Sequence, residues 1–95
     1  MFTKTDAKAA LDLVLAINRD DTDRFSSFSM VGPDSILVSI YPHGKSDDME
    51  NSWMYSAYKT DLFESNKRIF KHGIQDETEF PTFRQMLDDI KEAAT

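Results

Sequence analysis

The residues best suited to chemistry lie in one short polar segment, in which His43 is followed by Asp47 and Asp48. An imidazole titrates near neutral pH, and a carboxylate hydrogen-bonded to one ring nitrogen fixes the tautomer that a general base needs. No Ser or Cys near this segment belongs to a recognisable nucleophile motif. His43 also lies between Pro42 and Gly44, which favour a turn. An exposed turn histidine therefore explains the pattern better than a hydrolase, and we predict that the chain is not an enzyme.

Two acidic segments carry the hard oxygen ligands that calcium prefers. The first contains Asp20, Asp21 and Asp23, and the second contains Asp47, Asp48, Glu50 and Asn51. Neither has the alternating ligand spacing, central glycine and distal bidentate glutamate of an EF-hand loop. Because crowded exposed carboxylates are usually a solvated loop, we expect no metal and no cofactor.

One concentration of basic residues comprises Lys67, Arg68, Lys71 and His72. Contact with a phosphate or a nucleic acid is one interpretation of this cluster. The other is that the four residues end a predicted helix, where cations complement the helix dipole. The formal net charge of the chain is −6, which repels phosphate backbones. We therefore expect no nucleic-acid binding.

The length of 95 residues suits one domain, and 40% hydrophobic residues suffice for one modest core. We predict a single domain over residues 1–95. The chain contains no cysteine, so packing must stabilise it without disulfides or thiolate-bound zinc. Its longest strongly apolar run, Leu13 to Ile17, is far below the roughly 20 residues that cross a bilayer, and its amino terminus lacks a secretory signal pattern. These features predict a cytoplasmic protein that does not enter membranes.

Hydrophobic spacing predicts a helix followed by strands in the first part of the chain. A helix over residues 6–18, with Thr5 as its N-cap, is predicted because apolar residues recur at the spacing of one buried helix face, namely Ala7, Ala10, Leu11, Val14 and Ile17. The period then changes from 3.6 to 2, which is typical of strands. Three strands are predicted, at residues 25–31, 36–41 and 52–59. The Gly-Pro-Asp-Ser segment at 32–35 favours a tight reversal, so the first two strands should pair antiparallel.

Two further helices are predicted in the last third of the chain. Asp61 and Glu64 have the spacing of a capping pair and Gly73 favours a stop, which together predict a helix over residues 62–72. After an acidic link at 76–79, Pro81 or Thr82 begins the last helix. Its apolar side, at helical spacing, consists of Phe83, Met86, Leu87, Ile90 and Ala94. The predicted fold is therefore α+β, with a three-stranded antiparallel β-meander packed against helices in the order α-β-β-β-α-α.

The remaining functional signal combines acidic loops with aromatic side chains. Aromatic anchors inside a charged rim are typical of protein interfaces, and a negative chain attracts basic surfaces. The predicted partner-binding residues are Tyr41, Asp47, Asp48, Glu50, Trp53, Tyr55 and Tyr58. The alternative is that the aromatic residues fill the core and that the acidic residues only keep the chain soluble.

In size, charge and predicted order of elements, the chain resembles the small acidic inhibitors encoded by phages and mobile elements, including some anti-CRISPR proteins. The resemblance is one of architecture and assigns no residue roles. Together with the charge, it implies a binding module that docks on a basic surface of a partner protein. The alternative function is a structural or assembly subunit that pairs through a sheet edge or through the C-terminal helix, with itself or with another chain.

Overall fold

The computed structural model describes residues 1–19, 24–42, 52–70 and 77–93. Its elements, in chain order, are α1 (Lys4–Arg19), β1 (Phe25–Met30), β2 (Ser35–Tyr41), β3 (Trp53–Lys59), β4 (Glu64–Phe70), β5 (Glu77–Phe80) and α2 (Phe83–Ala93). The strands form one sheet in the order β1-β2-β3-β4-β5, and every neighbouring pair is antiparallel. The α+β class and the antiparallel pairing are confirmed, but the sheet has five strands and the prediction of three was wrong. The predicted order α-β-β-β-α-α is wrong, because the described elements run α-β-β-β-β-β-α.

The segment predicted as a second helix at 62–72 forms strand β4 instead. All seven residues of β4 pair with β3, and four of them, residues 66–69, also pair with β5 on the other side. Two flanking ladders satisfy backbone groups that a helix would have satisfied internally, and this tertiary pairing overrides a weak local preference. The acidic link predicted at 76–79 is correspondingly the short edge strand β5 from Glu77 onward. Asp76 and residues 71–73 lie outside the described part of the chain.

Both helices pack on the same face of the sheet. Helix α1 contacts β1 and β2, helix α2 contacts β4 and β5, and the helices contact each other. Between them and the sheet lies the core, which consists of Phe2, Ala10, Val14, Ile17, Ile36, Val38, Ile40, Tyr55, Ala57, Phe83, Met86 and Ile90. The helical spacing of α1 and α2 and the alternation of β2 therefore predicted the correct buried side of each element, except that Leu11, predicted on the buried face of α1, is 39% exposed.

Side-chain hydrogen bonds identify the residue that caps the start of each helix. The amide of Asp6 donates to Thr3 Oγ1 (3.1 Å), and the amide of Thr3 donates to a carboxylate oxygen of Asp6 (3.0 Å). This reciprocal pair makes Thr3 the cap, so the prediction of Thr5 was wrong by two residues. Helix α2 starts as predicted, because the amide of Gln85 donates to Thr82 Oγ1 (3.2 Å).

The β1–β2 turn anchors the amino terminus. Gly32 adopts a φ of 71°, a left-handed conformation that glycine adopts without the steric cost of a side chain, and the Val31 amide donates to the Ser35 carbonyl (3.1 Å). The amide of Phe2 donates to the Pro33 carbonyl of this turn (2.8 Å). Helix α1 therefore starts beside this turn and runs back along β1.

Candidate functional site

Strand alternation places half of the sheet side chains on the face opposite the helices, which we call the open face. The register puts Ser29, Leu37, Ser56, Lys67 and Glu79 in one row across all five strands. Neither described helix packs on this face. Its large apolar and aromatic side chains are Phe25, Leu37, Tyr41, Met54, Tyr58 and Ile69. Its serines are Ser27, Ser29, Ser35, Ser39, Ser56 and Ser65.

Aromatic pairs lie at both ends of the strands on the open face. Tyr58, which is 41% exposed, lies beside Phe63 of the β3–β4 turn, which is 58% exposed, with ring centroids 6.0 Å apart. At the opposite end of the strands, the rings of Phe25 and Tyr41 are 5.8 Å apart. Each pair is an amphipathic surface that can contact a partner with little loss of side-chain entropy.

Charge on the open face is confined to its β4–β5 side. Across β1, β2 and β3 the open face carries no charged residue. On β4, the Lys67 ammonium lies 3.0 Å from Glu77 Oε1 and 4.0 Å from Glu79 Oε1. The hydrogen bond to Glu77 is the main reason that the pKa of Lys67 is raised. One cation between two carboxylates leaves the β4–β5 side of the open face, its acidic rim, with a net negative charge.

No protein-family model, curated protein or solved structure matches the chain.

Of the predicted partner-binding residues, Tyr41 and Tyr58 lie on the open face. Trp53 and Tyr55 point to the helix face, and Tyr55 is only 1% exposed. Asp47, Asp48 and Glu50 lie outside the described residues, as do His43 and the other acidic segment at 20–23. The structure therefore places two of the seven predicted residues on the open face, at opposite ends of the strands.

The predicted basic cluster is divided by the sheet. Because Lys67 and Arg68 are consecutive in a strand, Lys67 lies on the open face and Arg68 lies under α2. Each has an acidic partner, Glu77 for Lys67 and Asp89 for Arg68. Lys71 and His72 lie outside the described residues. Lys67 and Arg68 therefore do not form one phosphate-binding patch.

A polar network under α2 joins the helix to the sheet. The Tyr55 hydroxyl and Arg68 Nη1 each donate to Asp89 Oδ2 over 2.7 Å. Arg68 Nη2 also donates to Thr78 Oγ1 (3.3 Å), and the Arg68 guanidinium lies 5.6 Å from the centroid of the Phe70 ring. Burial, followed by the hydrogen bond to Asp89, raises the pKa of Tyr55. The Tyr55 hydroxyl and the Arg68 guanidinium, both bonded to one carboxylate oxygen of Asp89, hold α2 on the sheet.

The raised pKa of Tyr55 predicts a loss of stability at alkaline pH. The folded state holds the phenol proton more tightly than the unfolded chain, whose pKa is near 10.0. The stabilisation is therefore complete below about pH 10 and falls above it, by at most about 1.4 kcal/mol per pH unit. Because Tyr55→Phe lacks the titrating group, the advantage of the wild type over this variant in denaturant unfolding should shrink from about pH 9 to about pH 11. A constant difference over that range would contradict this assignment.

The described residues contain neither a grouping of metal-ligating side chains nor a helix that could span a membrane. Among those residues, no three His, Asp or Glu side chains are grouped as metal ligands would be. Neither α1 nor α2 is long and apolar enough to span a membrane.

Sequence reasoning missed the open face because it assigned residues 62–72 to a helix. In that assignment, Phe63 and Ile69 belonged to a helix, and no sheet face continued beyond β3. No alternation of polar and apolar residues marks β4, because Asn66 and Arg68 on its helix side are as polar as Lys67 on its open face.

Proposed function

We propose that the protein is a non-enzymatic binding module that docks, through the open face of its sheet, on a basic surface of a partner protein. The observation that carries this proposal is the alternation of large apolar side chains with serines over a face that neither described helix covers.

The composition of the open face suits contact with a protein. Tyr41 and Tyr58 offer large, fairly rigid contact areas, and the serine hydroxyls adapt to either donors or acceptors on a partner. Because the β1–β3 part of this face carries no charged residue, docking there desolvates no ion of this chain. Covering it removes apolar area from water, which is worth about 25 cal/mol per Å² before the costs of association.

Charge selects the class of partner. The chain carries a formal net charge of −6, and Glu77 and Glu79 border the open face. Arginines and lysines on a partner complement this rim and accelerate encounter, whereas a nucleic-acid backbone is repelled. Asp47, Asp48 and Glu50 are still predicted contacts with such a partner. Tyr55 is left out of the docking surface because it is buried under α2.

Inhibition is the form of this function that we propose. A basic groove on an enzyme normally attracts a polyanion, and a compact chain of charge −6 that fills the groove excludes that polyanion. An origin in a phage or mobile element belongs to the same proposal.

Photo-cross-linking from the open face tests the proposal. A photoreactive phenylalanine analogue replaces Tyr58, and the matched control carries it at the exposed Gln85 on α2. In cell lysate at low salt, the Tyr58 position should give an adduct with a defined protein of basic isoelectric point, and the Gln85 position should not. Salt of about 0.5 M should abolish the adduct, because it screens charges beyond a few ångströms.

Three outcomes would overturn the proposal. Equal labelling from both positions would show that the open face is not selective. An adduct that persists in high salt would remove the electrostatic argument. An adduct with nucleic acid would identify a different class of partner.

A further inference from the structure

Strand β1 forms an edge of the sheet that lacks the usual protection. The opposite edge, β5, is four residues long and carries Glu77 and Glu79, which discourage pairing with another chain. Strand β1 is six residues long, with the sequence Phe-Ser-Ser-Phe-Ser-Met, and contains neither a charged residue nor a proline. Such an edge is a template for another strand.

Hydrogen bonds show which backbone groups of β1 point away from the sheet. The side-chain amide of Asn18 donates to the Ser26 carbonyl (2.8 Å) and accepts from the Ser26 amide (2.7 Å), so the backbone of Ser26 faces outward. Alternate residues share this direction in an antiparallel strand, so Phe28 and Met30 also direct their amide and carbonyl groups outward. No described residue bonds to those groups of Phe28 and Met30. Asn18 thus blocks one end of the edge and leaves three residues, 28–30, open.

An apolar flank of α1 lies beside this open segment. Leu11 and Leu15 are 39% and 40% exposed. Asn18 is seven residues after Leu11 and therefore on the same flank, and Asn18 reaches the outer side of β1. Three strand residues and seven helix residues each span about 10 Å, so Leu11 lies about level with Ser29.

We propose that β1 pairs antiparallel with β1 of a second copy, about a two-fold axis midway between the two Ser29 residues. In this register, Phe28 of each copy exchanges two main-chain hydrogen bonds with Met30 of the other. The two five-stranded sheets then become one continuous sheet.

A second copy fits this edge better than an unrelated strand because the open segment is self-complementary. Its two outward-facing residues stand at equal distances from Ser29, so a two-fold axis there satisfies both of them and needs no movement of Asn18. The same axis brings the Leu11 side chains of the two copies towards each other over the joined sheets. It also places no charged strand residue in the contact.

Salt distinguishes this contact from docking on the open face. Two copies with a charge of −6 repel each other, so added salt should strengthen their pairing through β1. Docking of the open face on a basic partner should weaken under the same change. Either proposal can therefore fail while the other stands.

Cysteine cross-linking tests the register, because the chain contains no native cysteine. At the axis, the two Ser29 Cα atoms would be about 4.5 Å apart, within reach of a disulfide. Ser27 is exposed on the same strand and the same face, but its two copies would be about 13 Å apart. Ser29→Cys should therefore form covalent dimers at least about tenfold faster than Ser27→Cys.

Sedimentation of the full chain supplies the second readout. The sedimentation mass should double as the protein concentration rises. Added salt should move this doubling to a lower protein concentration. Leu11→Asp should return the chain to monomer, whereas the control Ala16→Asp, about 140° around α1 from Leu11, should dimerise like the wild type. A monomer at the highest soluble concentration in high salt would overturn the proposal. Equal oxidation of the two cysteine variants, or a dimer unaffected by Leu11→Asp, would overturn it as well.

Discussion

Met86→Ala should lower the free energy of unfolding by about 3 kcal/mol, whereas Met54→Ala should lower it by less than about 1 kcal/mol. Met86 is 0% exposed, at the centre of the contact between α2 and the sheet, so its truncation leaves a cavity. Met54 lies on the open face, where solvent takes the place of the removed atoms. Denaturant unfolding with a common m-value gives both free energies.

Secondary-structure preference alone would make Met54→Ala, not Met86→Ala, the more destabilising change. Alanine is the best helix former, so Met86→Ala loses nothing from helix propensity, whereas Met54→Ala sits in a strand, where alanine is disfavoured. Local preference thus acts against the predicted difference. Equal losses at the two positions would mean that the open face is covered in solution.

Asp89→Ala should destabilise the protein by about 2–3 kcal/mol. Its carboxylate accepts hydrogen bonds from the Tyr55 hydroxyl and from Arg68, and the Arg68 and Asp89 side chains are only 26% and 22% exposed. Removal of the acceptor leaves a partly buried guanidinium without its counter-charge. The improved helix propensity of alanine offsets only about 0.5 kcal/mol of this loss.

The neighbouring aspartate is the matched control for this prediction. Asp88 is exposed on the same helix and has the same chemistry, so Asp88→Ala should change the free energy of unfolding by less than about 0.5 kcal/mol. Asp89→Asn, which keeps the shape and one acceptor oxygen, should fall between the two alanine variants. If Asp88→Ala and Asp89→Ala cost the same, the network does not stabilise α2.

The elements that the sequence predicted correctly are those with a repeated apolar period. Helices α1 and α2 and strands β1, β2 and β3 each place apolar residues on one side at a spacing that fits one structure. Strand β4 lacks that signal because its helix-side residues include the polar Asn66 and Arg68. Only tertiary contacts bury Asn66 and pair Arg68 with a carboxylate. Strand β5 has four residues, too few for any period to be recognised.

The candidate site was predicted only in part, for a related reason. Alternation in β3 correctly separated Trp53, Tyr55 and Ala57 from Met54 and Tyr58, but alternation alone does not say which side helices will cover. The pairing of β3 with β2 decides this, because Tyr55 and Ala57 lie opposite Val38 and Ile36 of the core. Tyr41 and Tyr58 are left on the accessible side, and Tyr55 becomes a link to α2.

Strand pairing also explains why Lys67 and Arg68, the two described members of the predicted basic cluster, do not share one surface. A helix would have collected Lys67 and Lys71 on one side, whereas a strand sends Lys67 and Arg68 to opposite faces. Each cation then meets its own carboxylate, on β5 or on α2. Lys67 and Arg68, which could have been part of a phosphate-binding site, thus join β4 to β5 and to α2.

The affinity of the cross-linked partner for open-face variants tests the central claim most directly. With that partner purified, Tyr58→Ala should weaken equilibrium binding at low salt by about tenfold to a hundredfold, the usual loss at an aromatic anchor. Gln85→Ala, on the helix side, should bind within about twofold of the wild type. Wild-type affinity in both Tyr58→Ala and Tyr41→Ala, with folding intact, would contradict docking through the open face.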